Sequence, residues 1–168
     1  MNNKKTNILI LILLMPLSLF SQNLLSNEEV VYYFKTQNGK EMTLAKDKKD
    51  KYIVYRFGAK NKTEFEFPTV KDKSSWKKFT YSFYLRGGGK QNDGMDLNYI
   101  LFENKGYKYL LFYEYFSKDE SIETAIKITN LKTKKQIKIG GKLNSRKGTL
   151  IDLRDNNLIT ITDDLQVE

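Results

Sequence analysis

Residues 107–116 read YKYLLFYEYF, the most strongly β-forming stretch of this 168-residue chain. Alternate side chains of a β-strand point to opposite faces of its sheet. One face carries Tyr107, Tyr109, Leu111, Tyr113 and Tyr115, and the other carries Leu110, Phe112 and Phe116. Because both faces carry large apolar or amphipathic side chains, the stretch predicts a strand in the centre of a sheet.

Turn residues separate this stretch from similar alternating segments along the chain. Asn38-Gly39 lies between residues 31–36 and 41–45 and predicts a hairpin with a two-residue turn. A second tight turn, Asn104-Lys105-Gly106, leads directly into the central stretch. Residues 148–153 and 158–162 predict a last short hairpin.

Strands and turns alternate at intervals of about 8 to 12 residues, which is typical of sandwiches and barrels. We therefore predict an all-β fold, a single-domain antiparallel β-sandwich or flattened β-barrel of roughly nine to eleven short strands. The strands are expected to follow one another as a meander.

Residues 1–21 have the pattern of a secretory signal peptide. Lys4 and Lys5 precede an apolar run, 8–15, and small or flexible residues follow up to Ser21. The alternative is a short N-terminal membrane anchor, although the run is shorter than a typical span of about 20 residues. We expect removal of residues 1–21, a single domain over 22–168, and a periplasmic or secreted protein without a further transmembrane segment.

The chain contains no histidine and no cysteine. Ser-His-Asp and Cys-His catalysis and zinc sites with these ligands are therefore excluded. We expect no catalytic residue, no metal and no cofactor. The enzymatic alternative is a small glycan hydrolase that uses two carboxylates. Its candidate pairs are Glu64 with Glu66, and Glu103 with Glu114 across the hairpin that turns at residues 104–106.

The chain is basic, with 29 Lys and Arg against 20 Asp and Glu and a net charge of +9. A basic protein attracts acidic partners, and for an exported chain we expect an envelope protein or anionic glycan rather than nucleic acid. The oligomeric state is left open. Lysines cluster in turns, as at Lys46, Lys48, Lys49 and Lys51. We interpret them as a solvated surface, with a dedicated anion site as the alternative.

A glycine-rich loop is the first candidate ligand site. It consists of Arg86, Gly87, Gly88, Gly89 and Lys90. Successive glycine amides can form a concave set of donors for an anion, and an arginine adds a bidentate fork. The alternatives are a flexible hairpin loop and a calcium site formed by oxygen ligands further along. Those ligands are Asn92, Asp93, Asp96 and Asn98.

Tyrosines of the central stretch form the second candidate site. On one sheet face, Tyr107, Tyr109 and Tyr113 would offer a platform for sugar rings or a peptide. The alternative is that they belong to the core and its boundary. Together these features predict an exported, non-catalytic binding protein of the bacterial envelope, with an acidic protein or glycan as ligand. The competing functions are the hydrolase and a structural envelope protein.

Overall fold

The structure, a computed structural model, describes residues 24–90 and 92–163. The predicted signal peptide lies outside these residues. Within them, no helix has the length and apolar character needed to cross a membrane.

Eleven strands in the described residues form two sheets. The first sheet has five strands in the order β10-β1-β2-β3-β4, namely Lys147–Gly148, Glu28–Lys35, Glu41–Asp47, Ile53–Ala59 and Lys62–Phe67. The second has six in the order β11-β5-β6-β7-β8-β9, namely Thr160–Thr162, Thr80–Arg86, Met95–Asn104, Tyr107–Phe116, Ser121–Asn130 and Gln136–Gly140.

The two sheets pack face to face around one apolar core, so the all-β prediction is confirmed and the architecture is a sandwich. Both sheets and the connections after β4 and β9 contribute buried side chains. The largest of them are Trp76, Tyr32, Tyr55, Tyr81, Phe34, Phe79, Met42, Leu44, Ile53, Ile100, Leu111 and Ile126. As predicted, β7 is central, because it pairs along its whole length with β6 on one side and β8 on the other.

The first hairpin forms as predicted, but the prediction of a two-residue turn is wrong. The Thr36 N–H donates to the Lys40 carbonyl at 2.8 Å, which leaves three residues, 37–39, in the loop. A two-residue turn of the favoured type needs positive φ at both central residues. Here only Gly39 has it, at 83°.

The hairpin between β6 and β7 has the two-residue turn. Lys105 and Gly106 both have positive φ, 48° and 80°, and Asn104 pairs directly with Tyr107. This geometry is that of a type I′ turn, whose twist matches that of the flanking strands.

The predicted last hairpin is wrong, and so is the simple meander. β10 pairs with β1 in the first sheet, whereas β11 pairs in parallel with β5 in the second. A 3₁₀ helix, Ile151–Leu153, lies between them. The reason is burial: Leu150, Leu153 and Ile159 all enter the core between the sheets, which draws the chain across one side of the sandwich.

Candidate functional site

Two hydrogen-bond donors of the predicted glycine-rich loop bind carbonyl groups of the same loop. The Arg86 Nε–H donates to the Asp93 carbonyl at 2.8 Å, and the Gly89 N–H donates to the Asn92 carbonyl at 2.9 Å. None of the residues Gly87 to Gly89 has a positive φ. An anion-binding nest alternates right-handed and left-handed backbone conformations so that successive amides point at one anion, and these glycines lack that alternation. Ligand binding by residues 86–90 stays a prediction.

The three predicted tyrosines are not brought together with that loop. Tyr107 begins β7, about 30 Å along the strand from the end that adjoins the loop. Tyr109 faces the core and stacks on Phe102 and Phe65, with ring centroids 4.7 and 5.2 Å away. Tyr113 is on the same inner face, and a ligand platform formed by these tyrosines stays a prediction.

The candidate carboxylate pairs have other partners. Glu103 lies opposite Lys108 and Glu114 lies opposite Leu97, so the expectation that the two acids meet across the hairpin is wrong. The reason is register: the two-residue turn fixes which residues face each other, and Glu103 lies much closer to the turn than Glu114 does.

The other pair is neutralised by cations. Glu64 accepts from the Lys40 ammonium at 2.5 Å, and Glu66 binds Arg56 and Lys71 at 2.7 and 2.8 Å.

Two of the four proposed calcium ligands, Asp96 and Asn98, are also engaged. Arg154 forms an ion pair with Asp96 and donates to the Asn98 side-chain oxygen at 3.1 Å. Across residues 24–90 and 92–163, no group of three or more acidic side chains is placed to hold a metal ion.

A depression of about 470 Å³ beside the turn after β2 gathers four lysines, and we call it the lysine pocket. Its lining consists of Asn27, Asp47, Lys48, Lys49, Lys51, Tyr52 and Lys71. Four lysines thus line one depression, and Asp47 is the one acidic residue among its described lining residues. Such a concentration of positive charge in a concave surface attracts anions more strongly than isolated surface lysines do.

Asp47 organises the turn that carries three of these lysines. Its carbonyl accepts from the Asp50 N–H at 2.8 Å, and Asp50 takes the left-handed conformation with φ 55°. Its side-chain Oδ1 accepts from the Lys49 N–H at 2.9 Å. These hydrogen bonds of Asp47 stabilise the turn, and the lysine side chains of the turn are exposed.

Asn27 fixes Asp47 from the other side. The Asn27 amide donates to Asp47 Oδ2 at 2.8 Å and to the Tyr52 hydroxyl oxygen at 3.0 Å. The hydrogen bond from Asn27 and those from the backbone of the turn outweigh the effect of burial and lower the pKa of Asp47. Asp47 therefore remains ionised and holds the turn in one conformation over the normal pH range.

The floor of the lysine pocket rests on a buried ion pair. The Tyr52 hydroxyl donates to Glu28 Oε1 at 2.9 Å, and Arg56 donates to both oxygens of Glu28 at 2.6 and 2.8 Å. The side chains of Glu28 and Arg56 are 0% and 4% exposed. This network joins β1, β3 and the turn, so it pre-organises the pocket.

The four lysines differ in how their charge is compensated. Lys48 donates to the Ser26 carbonyl at 2.8 Å and Lys71 pairs with Glu66 at 2.8 Å. The exposed side chains of Lys49 and Lys51 form no hydrogen bond or ion pair with any residue that the structure describes. These two ammonium groups are therefore available to an anionic ligand.

The sequence analysis identified only part of the lysine pocket. Lys48, Lys49 and Lys51 were noted as a basic turn, for which a dedicated anion site was the alternative interpretation. Asn27 and Lys71 were missed, since they approach the turn only through the pairing of β1, β2 and β3 and the course of the chain after β4. The density of lysines at 46–51 is the one sequence signal that points to this site.

Comparison of the chain with protein-family models, with curated proteins and with solved structures gave no match. The case for a function therefore depends on the geometry and charge of the site.

Proposed function

We propose that this chain is an exported, periplasmic or secreted, non-catalytic binding protein of the bacterial envelope that binds an anionic glycan or an acidic protein in the lysine pocket. The observation that carries the proposal is the convergence of four lysines around one depression in which Asp47, the one acid among the described lining residues, is already engaged. The depression has a volume typical of small-ligand sites, about 300 to 1,000 Å³.

The chemistry of the lysine pocket favours several anionic groups over one. A lysine ammonium is a compact point charge on a flexible stem, so it adapts to phosphate, sulfate or carboxylate without demanding one geometry. Lys49 and Lys51 come from the same turn and would contact neighbouring anionic groups of one ligand. We expect affinity to fall as salt is added, because exposed charges are screened.

Replacing both Lys49 and Lys51 with glutamine tests the site. With a sulfated oligosaccharide as probe, the double variant should bind at least about tenfold more weakly, since two charge contacts with the ligand are lost. The thermal midpoint should change by only a few degrees, because surface charges contribute little to folding. Isothermal titration calorimetry at two salt concentrations gives both the affinity and its salt dependence.

The matched control is the double variant Arg86→Gln with Lys90→Gln, which removes the same charge from the glycine-rich loop. It should bind the probe within about twofold of the original protein. Equal weakening in both variants would contradict the lysine pocket and indicate binding by net charge alone. Weaker binding in the control variant alone would indicate that the ligand binds at residues 86–90. Repeating the titration with polyglutamate separates an acidic protein from a glycan as the preferred ligand class.

Export is tested independently of the ligand. When the full chain is expressed in a Gram-negative bacterium, the protein recovered from the periplasm or medium should have an intact mass that lacks about 21 N-terminal residues. Recovery of the full-length mass in the membrane fraction would contradict cleavage and favour the N-terminal anchor.

A further inference from the structure

Arg146 is exposed and lies just before β10. It follows a short 3₁₀ helix, Leu143–Ser145, and its guanidinium carbon lies 4.6 Å from the centroid of the Tyr113 ring. Tyr113 belongs to the second sheet, whereas β10 pairs with β1 in the first. A guanidinium stacked on an aromatic ring keeps its edge N–H groups directed away from the ring face.

Two neutral tyrosine side chains, Tyr113 and Tyr32, interact with this guanidinium. The Tyr32 hydroxyl donates to Thr124 Oγ1 at 2.8 Å, and the Thr124 hydroxyl donates to the Phe112 carbonyl at 2.9 Å. Burial lowers the pKa of Arg146, but its interactions with Tyr113 and Tyr32 outweigh burial and raise it. Burial raises the pKa of Tyr32, so that phenol remains neutral at physiological pH.

Arg146 has no carboxylate partner within 4.0 Å among residues 24–90 and 92–163. Arg154 provides the comparison, since it stacks in the same way on Phe83 at 4.9 Å but forms an ion pair with Asp96. The two stacked arginines therefore differ in exposure and in charge compensation: Arg154 is half-buried and paired with Asp96, whereas Arg146 is exposed and has no carboxylate partner among the described residues.

A depression of about 560 Å³ lies beside the first residues of β8. Thr124, which accepts the hydrogen bond from Tyr32, is one of its lining residues. Gln37 and Asn144 add side-chain amides, Lys142 adds an ammonium group, and Ile122 and Leu143 add apolar surface. Glu123, also in the lining, forms an ion pair with Lys138. Amide groups beside a small apolar surface suit the hydroxyls and ring carbons of a sugar.

From these contacts we propose that Arg146 binds the carboxylate of an acidic sugar whose ring occupies the depression beside Thr124. The planar fork of arginine matches a carboxylate with two parallel hydrogen bonds, and Lys142 adds a second positive charge beside the depression. This site lies apart from the lysine pocket and shares no lining residue with it. The inference therefore does not depend on binding in the lysine pocket.

The test uses a trimer of galacturonate as probe, with the neutral trimer maltotriose for comparison. Binding is followed by NMR through the side-chain Nε–H signal of Arg146 and the backbone signal of Thr124. Arg146→Gln should raise the Kd for trigalacturonate at least about tenfold, as expected for loss of hydrogen bonds to a charged group. Arg146→Lys keeps the charge but loses the fork, and it should raise the Kd about threefold or more.

Lys147→Gln is the matched control. It removes the same charge from the next residue, whose ammonium lies over the ring of Tyr33, the neighbour of Tyr32 on the opposite face of β1. Its Kd, read from the Arg146 and Thr124 signals, should stay within about twofold of the original value. Because these signals report the Arg146 site, they distinguish its failure from failure of the lysine pocket.

Three outcomes would overturn the proposal. The first is equal weakening by Arg146→Gln and Lys147→Gln, which would indicate a general charge effect. The second is tighter binding of a triglutamate peptide than of trigalacturonate, which would contradict the sugar class. The third is the absence of saturable shifts at Arg146 and Thr124. If Arg146→Gln fails to fold, the Arg146→Lys variant takes its place. An unchanged Kd for trigalacturonate in that variant would then overturn the proposal.

Discussion

Replacing Arg56 with methionine is expected to lower the free energy of unfolding by about 3 to 5 kcal/mol. Arg56 donates two hydrogen bonds to Glu28, whose side chain is fully buried. Methionine fills similar space but leaves the Glu28 carboxylate without its positive partner in a low-dielectric site. Urea unfolding followed by tryptophan fluorescence measures the change, because Trp76 is buried in the folded protein.

Lys40→Met is the matched control for this prediction. It removes a cation from the ion pair with Glu64, in which the two side chains are 37% and 35% exposed. An exposed pair of this kind contributes at most about 1 kcal/mol, so the unfolding midpoint should change little. Comparable losses in the two variants would show that burial of the Glu28–Arg56 pair does not matter to stability.

The pH dependence of the Arg56→Met variant supplies a second test. Burial alone would raise the pKa of Glu28, but Arg56 and the other hydrogen-bond donors outweigh it and hold the pKa below 4.5. In the original protein, the contribution of ionised Glu28 to the free energy of unfolding is therefore fully present above about pH 4.5, and it is lost as the pH falls further. In the variant, burial without Arg56 raises the pKa of Glu28. Protonation of Glu28 then removes the cost of a buried, unpaired negative charge. The difference in stability between the two proteins should shrink on acidification, and a constant difference would contradict this account.

Leu111→Ala is expected to cost about 2 to 5 kcal/mol of unfolding free energy. Leu111 is 0% exposed at the middle of β7, between Ile100 of β6 and Ile126 of β8. Truncation removes buried apolar surface and leaves a cavity that rigid neighbouring strands fill poorly. The midpoint of urea unfolding is again the measurement.

Leu85→Ala provides the control for the core position. It is the same substitution in β5 of the same sheet, but Leu85 is 59% exposed. The cost should stay below about 1 kcal/mol, because little apolar surface leaves a buried environment. A small effect of Leu111→Ala, similar to that of Leu85→Ala, would show that β7 is not central to the core.

The lysine pocket and the Arg146 site differ in how far the sequence indicated them. Three of the four pocket lysines stand within four residues, at Lys48, Lys49 and Lys51, so composition drew attention to that turn. Arg146 gave no such signal, because nothing near it in sequence marks the Tyr113 ring on which it stacks. The loop at residues 86–90 had the strongest local signal, yet its arginine and one amide bind the loop itself.

The sequence by itself determined the all-β class, the central place of residues 107–116 and the first hairpin. These features follow from alternation of side chains and from turn residues, which act over a few neighbouring positions. Only the tertiary structure decided where residues 147–162 go and which distant residues share a site. β10 and β11 are too short to show a pattern, and their places are fixed by burial of Leu150, Leu153 and Ile159 between the sheets. The lysine pocket and the Arg146 site likewise depend on contacts between residues far apart in the chain, which no local periodicity records.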